Sequence, residues 1–198
     1  WERLIEAVES PRHHLKIALV GKYVELHDAY ISVREALKHA CLHNSADLEI
    51  QWVHSYELED KDPEEVLTGA HGIVVPGGFG IRGIEGKINA ARFARENKVP
   101  YLGLCLGFQL MVVEFARHCF QNPKANSTEF DAETPIPVID LMPDQKDVAD
   151  KGGTMRRGLY PCKLKPNTIA YKAYQQDLVQ ERHRHRYELN NKYRSQLE

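Results

Sequence analysis

Apolar residues in this chain come in short runs that alternate with amphipathic stretches. Leu15-Lys16-Ile17-Ala18-Leu19-Val20 is a compact run closed by Gly21, the pattern of a buried parallel strand. From Tyr30 to His43, Val33, Ala36, Leu37 and Ala40 fall on one helical stripe. Leu48 to Val53 alternates and predicts a second strand, and Pro63 to Leu67 a short helix with proline and acids in its first turn. Gly72 to Val75 predicts a third strand, Ile84 to Asn97 a helix, Tyr101 to Leu104 a fourth strand, and an amphipathic helix follows Cys105 at once. Repeated strand–helix alternation with short loops is the signature of an α/β fold: a doubly wound, mainly parallel sheet with flanking helices. Ligands of such sheets sit at the carboxyl ends of the strands, where Gly77-Gly78 and Cys105 fall.

Beyond the Cys105 helix the pattern changes. Gln121 to Pro137 is polar and loop-like, Ile136 to Met142 a strand, and Pro143 to Gly153 a charged, exposed stretch. Gly153 to Lys163 and Arg182 to Leu189 read as strands that pair in a small antiparallel extension. At the other end, Trp1 to Glu9 is a helix pattern without methionine, stopped by Ser10-Pro11. It is expected to be the tail of a linker, which puts the boundaries at 1–14 for the linker and 15–198 for the main domain.

Composition narrows the class. The 198 residues are 42% hydrophobic and 27% charged, ordinary for a soluble globular domain. A net charge of −2 argues against a nucleic-acid or anionic-membrane partner. The four cysteines (Cys41, Cys105, Cys119, Cys162) lack C-x-x-C spacing, so no metal cluster or disulfide scaffold is expected and a reducing cytoplasm fits. Cys41, Cys119 and Cys162 are expected to be packing residues.

Cys105 differs from them. It stands between a strand and a helix in Gly103-Leu104-Cys105-Leu106-Gly107, the thiol form of the nucleophile elbow. Free N–H groups and the positive dipole end of the following helix favour a thiolate and an oxyanion there. The plain alternative is a small buried cysteine at a strand end. Upstream, Val75-Pro76-Gly77-Gly78-Phe79-Gly80 offers backbone N–H groups in a concave turn, with glycines free to take positive φ. Gly78-x-Gly80-x-x-Gly83 formally matches a dinucleotide fingerprint, but it follows the third strand, carries Pro76 at the joint, and lacks an acid ending the next strand. No P-loop motif occurs. The better reading is an oxyanion hole made by the N–H groups of Gly78 and Leu106.

On these residues a family resemblance becomes specific. Gly103 to Gln109 resembles the nucleophile motif of the class I glutamine amidotransferases. Pro76-Gly77-Gly78-Phe79-Gly80-x-Arg82-Gly83-x-Glu85-Gly86-Lys87 resembles the CTP synthase family more narrowly, as do Ala125 to Phe130, Gly152-Gly153-Thr154-Met155-Arg156 and Glu181 to Glu188. The resemblance runs from about Leu15 to the last residue, with the leading helix similar to that family's interdomain linker. It implies a glutaminase domain that releases ammonia from L-glutamine. A separate N-terminal synthetase domain of the same polypeptide, absent here, would use ATP and Mg to aminate UTP to CTP, with GTP as allosteric effector and a homotetramer as the full-length form. Position by position, Cys105 is implied as nucleophile and Gly78 and Leu106 as oxyanion donors. Gly107 and Phe108 would line the substrate site with them, and Gln109, Glu129 and Arg186 would hold the two ends of glutamine. An acid matches an ammonium, and the planar fork of arginine matches a carboxylate. No cofactor is implied for this domain itself.

One departure stands out. The family's base is a histidine in a His-Pro-Glu motif, which this chain does not contain; truncation or a missing tail is the expected reason. His183 and His185 are weighed as substitutes and set aside, because they lie in the strand that positions Arg186. Alternation from Arg182 to Arg186 puts arginines on one face and histidines on the other, favouring an anion pocket over a nucleic-acid patch. Arg82 is expected to contact GTP or to pair with Glu85, and His13-His14 to be a solvated linker pair. The rival readings are a catalytically silent amidotransferase-like binding or regulatory module and another α/β cysteine hydrolase.

Overall fold

The structure, a computed structural model, describes residues 1–145 and 156–198. Its helices are α1 (Glu2–Glu9), α2 (Ile31–His43), α3 (Glu57–Asp60), α4 (Pro63–Leu67), α5 (Ile84–Asn97), α6 (Leu106–Cys119), α7 (Ile169–Tyr174) and α8 (Asn191–Leu197). Its strands are β1 (His13–Gly21), β2 (Ala46–His54), β3 (Gly72–Val75), β4 (Tyr101–Gly103), β5 (Ala125–Ser127), β6 (Ile136–Leu141), β7 (Arg156–Lys163), β8 (Leu178–Arg184) and β9 (Tyr187–Leu189). Two compact units emerge, one of Trp1–Ile139 with Leu189–Glu198 and one of Asp140–Glu188.

In the first unit the main sheet runs β2-β1-β3-β4, all parallel. Period-two alternation in β1 sends successive side chains to opposite faces. Ala18 and Val20 join a core with Val53, Leu58, Leu67, Ile73, Val75 and the α5 residues Ala90, Phe93 and Ala94. Leu19 points the other way, into a cluster with Val24, Tyr30 and the α2 residue Val33. Helices therefore cover both faces, as the alternating pattern predicts. All four residues of β3 are buried, which explains its unbroken apolar run. In α6 the buried Leu106, Leu110, Val113 and Ala116 recur at helical spacing.

Several expectations change in detail. β1 begins at His13, so His13-His14 is strand rather than linker. His14 hydrogen-bonds Asp47 at 3.0 Å and Glu49 at 3.1 Å, because its parallel neighbour β2 presents those carboxylates in register. The polar stretch after α6 contains β5, which pairs in parallel with β6. In the second unit β7 pairs antiparallel with β8, from Arg156↔Arg184 to Lys163↔Leu178. The strand expected from Arg182 to Leu189 starts earlier and is broken at 185–186 between β8 and β9, so Arg186 stands in a bend. The Gly152-Gly153-Thr154-Met155 motif lies outside the described residues.

Candidate functional site

The elbow is a backbone device. Cys105 takes φ 53°, ψ −107°, a conformation L residues rarely hold, and caps the N-terminus of α6. Its neighbours show why the turn needs glycine. A Cβ on Gly103 would stand 2.4 Å from the Gly107 carbonyl carbon and the Phe108 nitrogen, and one on Gly107 would stand 1.9 Å from the Val75 oxygen. The helix thus starts directly against the ends of β3 and β4. The Leu104 N–H donates to Val75 O at 2.9 Å and the Gly107 N–H to Leu104 O at 3.0 Å.

Gly77 and Gly78 leave the adjacent strand end beside this turn. A Cβ on Gly77 would lie 3.5 Å from Cys105 Cβ, and one on Gly78 3.7 Å from Leu106 Cδ2, both ordinary contacts. Neither residue takes positive φ; within this loop that falls to Gly80 and Gly83. Packing and backbone angle therefore do not demand glycine at 77 and 78, unlike 103 and 107. Of the three glycines of the dinucleotide-like fingerprint, Gly83 has a mechanical role: it caps α5 at φ 73°, and a Cβ on it would meet Ser55 Oγ at 2.2 Å.

The electrostatics at Cys105 run against the simple dipole expectation. Burial pushes the thiol up, the Leu106 N–H pulls it back down, the Glu129 carboxylate raises it, and the Lys87 ammonium lowers it. The net direction is upward, because desolvation of the sulfur outweighs the helix terminus. The sulfur still lies on an exposed residue, while Cys41 is buried and Cys162 half-buried. Cys119 is exposed at the end of α6, so it is not the packing residue expected.

Gln109 is buried one turn into α6, Phe108 is exposed beside it, and Leu106 and Gly107 are buried. Glu129, half-buried, donates its N–H to Ser127 Oγ at 3.2 Å, and its charge is felt at Cys105 and Lys22. Gly78, Cys105, Leu106, Gln109 and Glu129 all belong to the first unit, and Arg186 to the second. There Arg186 Nη2 donates to Gln145 O at 3.1 Å, and its carbonyl accepts the Met142 N–H at 2.9 Å.

Arg82 does not pair with Glu85. The Glu85 carboxylate is held by both terminal nitrogens of Arg117, at 2.8 and 3.0 Å, whereas the Arg82 guanidinium lies 4.5 Å over the Tyr56 ring. His183 and His185 face each other through Nδ1 and Nε2 at 3.1 Å, and His185 Nδ1 lies 2.9 Å from Tyr187 O. A carbonyl only accepts, so His185 donates from Nδ1 and accepts a hydrogen bond from His183 Nδ1–H at its Nε2. That occupies both of its ring nitrogens.

Two residues here were missed from the sequence. Lys22, just past β1, donates to Phe79 O at 2.7 Å and Gly80 O at 3.0 Å and so ties down the glycine loop. Lys87 is buried beneath that loop. A charged residue at the carboxyl end of a parallel strand was the available signal for Lys22; for Lys87, a lysine on the buried side of a helix was. Among the described residues no group of three or more His, Cys, Asp or Glu could hold a metal ion, and no helix is long and apolar enough to cross a membrane.

Comparison with known proteins shows the family and the fold. Residues 25–198 match the family model for glutamine amidotransferase class-I. The chain is similar over its whole length to the CTP synthase of Caldanaerobacter subterraneus subsp. tengcongensis, 60% identical over 197 residues and 37% of that protein. It is likewise similar to the CTP synthase of a Roseiflexus species, 61% identical over 199 residues and 36% of that protein. The chain thus spans little more than a third of these relatives. Among solved structures, the Trypanosoma brucei CTP synthase glutaminase domain with bound acivicin superposes with a TM-score of 0.80 at 38% identity, covering 92% of this chain and 71% of that one.

Proposed function

The chain belongs to the class I glutamine amidotransferase family, and we propose that it releases ammonia from L-glutamine as the glutaminase domain of a CTP synthase. The observation that carries this reading is Cys105 held at φ 53° on a turn that only glycine at 103 and 107 permits, beside Gly77 and Gly78, which packing does not explain. Strain of this kind is kept where the surrounding structure over-determines it, and it clusters at reacting groups.

In the proposed mechanism the Cys105 thiolate adds to the side-chain amide carbon of glutamine. The carbonyl oxygen becomes an oxyanion that accepts hydrogen bonds from the Gly78 and Leu106 N–H groups. The C–N bond then breaks, the nitrogen takes a proton and leaves as ammonia, and water hydrolyses the glutamyl thioester to glutamate and free thiol. Glu129 pairs with the α-ammonium, Arg186 with the α-carboxylate, and Gln109 with Gly107 and Phe108 completes the substrate site. A base is needed to take the thiol proton, since burial holds this thiol above its ordinary value.

The rest of the activity is proposed for the longer polypeptide: ammonia is consumed by a fused synthetase domain that uses ATP and Mg to aminate UTP. GTP acts as effector, with Arg82 as its contact, and the assembly is a cytoplasmic homotetramer. The exposed Leu4, Ile5 and Val8 of α1 are compatible with a linker that packs elsewhere in that polypeptide.

The test is covalent labelling with acivicin, the compound bound in the trypanosomal relative, followed by peptide mass spectrometry. Cys105 is expected to carry the label and glutamine to protect it. Cys119 is the internal control, because it is exposed too. Label distributed equally between Cys105 and Cys119, without protection by glutamine, returns the silent-module reading.

A further inference from the structure

Lys87 is the member of α5 that amphipathic patterning explains least. Its side chain is sealed from solvent at 0% exposure, and its Nζ has no hydrogen-bond partner among the described residues. An ammonium buried without a partner is costly, and an apolar side chain of similar length would fill the same space without that penalty. Its place is set by tight docking of the helix start: a Cβ on Gly86 would stand 1.7 Å from Ser55 O, so α5 lies directly on that backbone. One residue on, Lys87 reaches under the glycine loop, where its Nζ lies 3.6 Å from the point a Cβ on Gly78 would occupy.

We infer that Lys87 is a positioning residue whose buried ammonium, held behind the Gly78 loop, stabilises negative charge on Cys105 Sγ and on the oxyanion that forms beside it. The reaction it serves rests on the reading above; the coupling between Lys87 and Cys105 does not. A fixed charge in a water-poor site needs no reorganisation as the anion develops, so it is worth more there than in bulk solvent. The charged groups around it are accounted for. Lys22, past the end of β1, repels it, and the Cys105 thiolate attracts it. Glu129 faces Lys22 and Cys105; Glu59 of α3 and Arg82 face Lys22. Burial and Lys22 bring Lys87 down to about 8, so the stabilising charge is present at neutral pH and fades above it.

The coupling is reciprocal: if Lys87 lowers the thiol, the thiolate raises Lys87 by the same amount. The experiment is the pH profile of Cys105 alkylation by iodoacetamide in the 198-residue chain and in Lys87→Met. Removing the positive charge raises the thiol pKa, so Lys87→Met is expected to react about tenfold more slowly at pH 7, the effect of one pKa unit. The gap should narrow above pH 8, while the variant melts no lower than the parent. Equal rates and profiles in a folded variant overturn the inference.

If the variant does not fold, NMR titration of ¹³C-labelled lysines in the unmutated chain decides. Capping Cys105 with iodoacetamide is expected to lower the Lys87 midpoint, and an unmoved midpoint overturns the inference. In the longer polypeptide, Lys87→Met should lower kcat for glutamine and leave KM unchanged. Loss of acivicin labelling with the coupling intact would count against the proposed function alone.

Discussion

The elbow at 103–107 and the basic segment at 181–188 are both dense in motif residues, yet their geometry has different origins. At the elbow, space dictates identity: Gly103 and Gly107 face backbone atoms at distances no Cβ tolerates. In the basic segment Arg182 and Arg184 are exposed and Arg186 half-buried, and the region is held by the pairing of β8 with β7 and by contacts running from His183 to His185 to the Tyr187 carbonyl. A residue imposed by crowding is legible without knowing any ligand. A residue imposed by a ligand is silent until the ligand is considered.

The largest effect is expected at Gly107. Gly107→Ala is expected to destabilise the chain by about 3 kcal/mol, the upper end for overpacking, because the Val75 carbonyl cannot move without disturbing β3. Urea unfolding measures it, and a loss under about 1 kcal/mol would mean the turn is less confined than described.

Next come the charges proposed to hold the two ends of glutamine. Glu129→Ala and Arg186→Ala should each weaken glutamine binding by about 1.5–3 kcal/mol, roughly ten- to hundredfold, with a smaller change in melting temperature. Calorimetric titration with glutamine, against a simple amide lacking the α-groups, separates the two effects. Equal losses for both ligands would remove Glu129 and Arg186 from recognition of the amino-acid end.

The smallest effect lies outside both regions and sets the floor. His14 is raised by its hydrogen bonds to Glu49 and Asp47. Its contribution is therefore present below the unfolded value near 6.5 and is lost as pH rises through the folded value. His14→Gln should lower the melting temperature slightly at pH 5.5 and not at pH 8.5; a difference that grows with pH would contradict the pairing.

Much of the fold was legible because strand periodicity and burial agree. The apolar runs of β1 and β3 and the stripe of α6 map onto the observed core. What escaped was local and contextual. The strand His13-His14 is polar and acquires its order from in-register carboxylates on β2, which no local pattern reveals. The break at 185–186 escaped too, because alternation continues through it in the sequence. At the site, the Gly-Cys-Gly spacing announced the turn, while the upward shift of Cys105 depends on how deeply its neighbours enclose it. Lys22 and Lys87 converge on the glycine loop from segments far apart in the chain.

The main sheet is joined at a narrow seam. β1 and β2 share nine register pairs, but β1 meets β3 through only Ile17↔Gly72, Ala18↔Ile73 and Leu19↔Val74. Gly78, Lys87, Cys105 and Leu106 all lie on one side of that seam, within the β3–α5–β4–α6 stretch. In folding terms the two halves are each closed by short loops, and within the main sheet the seam is the strand pairing of longest sequence separation. The groups proposed to react therefore come from one local stretch of chain, and the β1–β2 half buttresses them through Lys22 and through the Ser55 backbone beneath α5. Amide exchange should register this division as two protection classes, with the nine-pair ladder opening last.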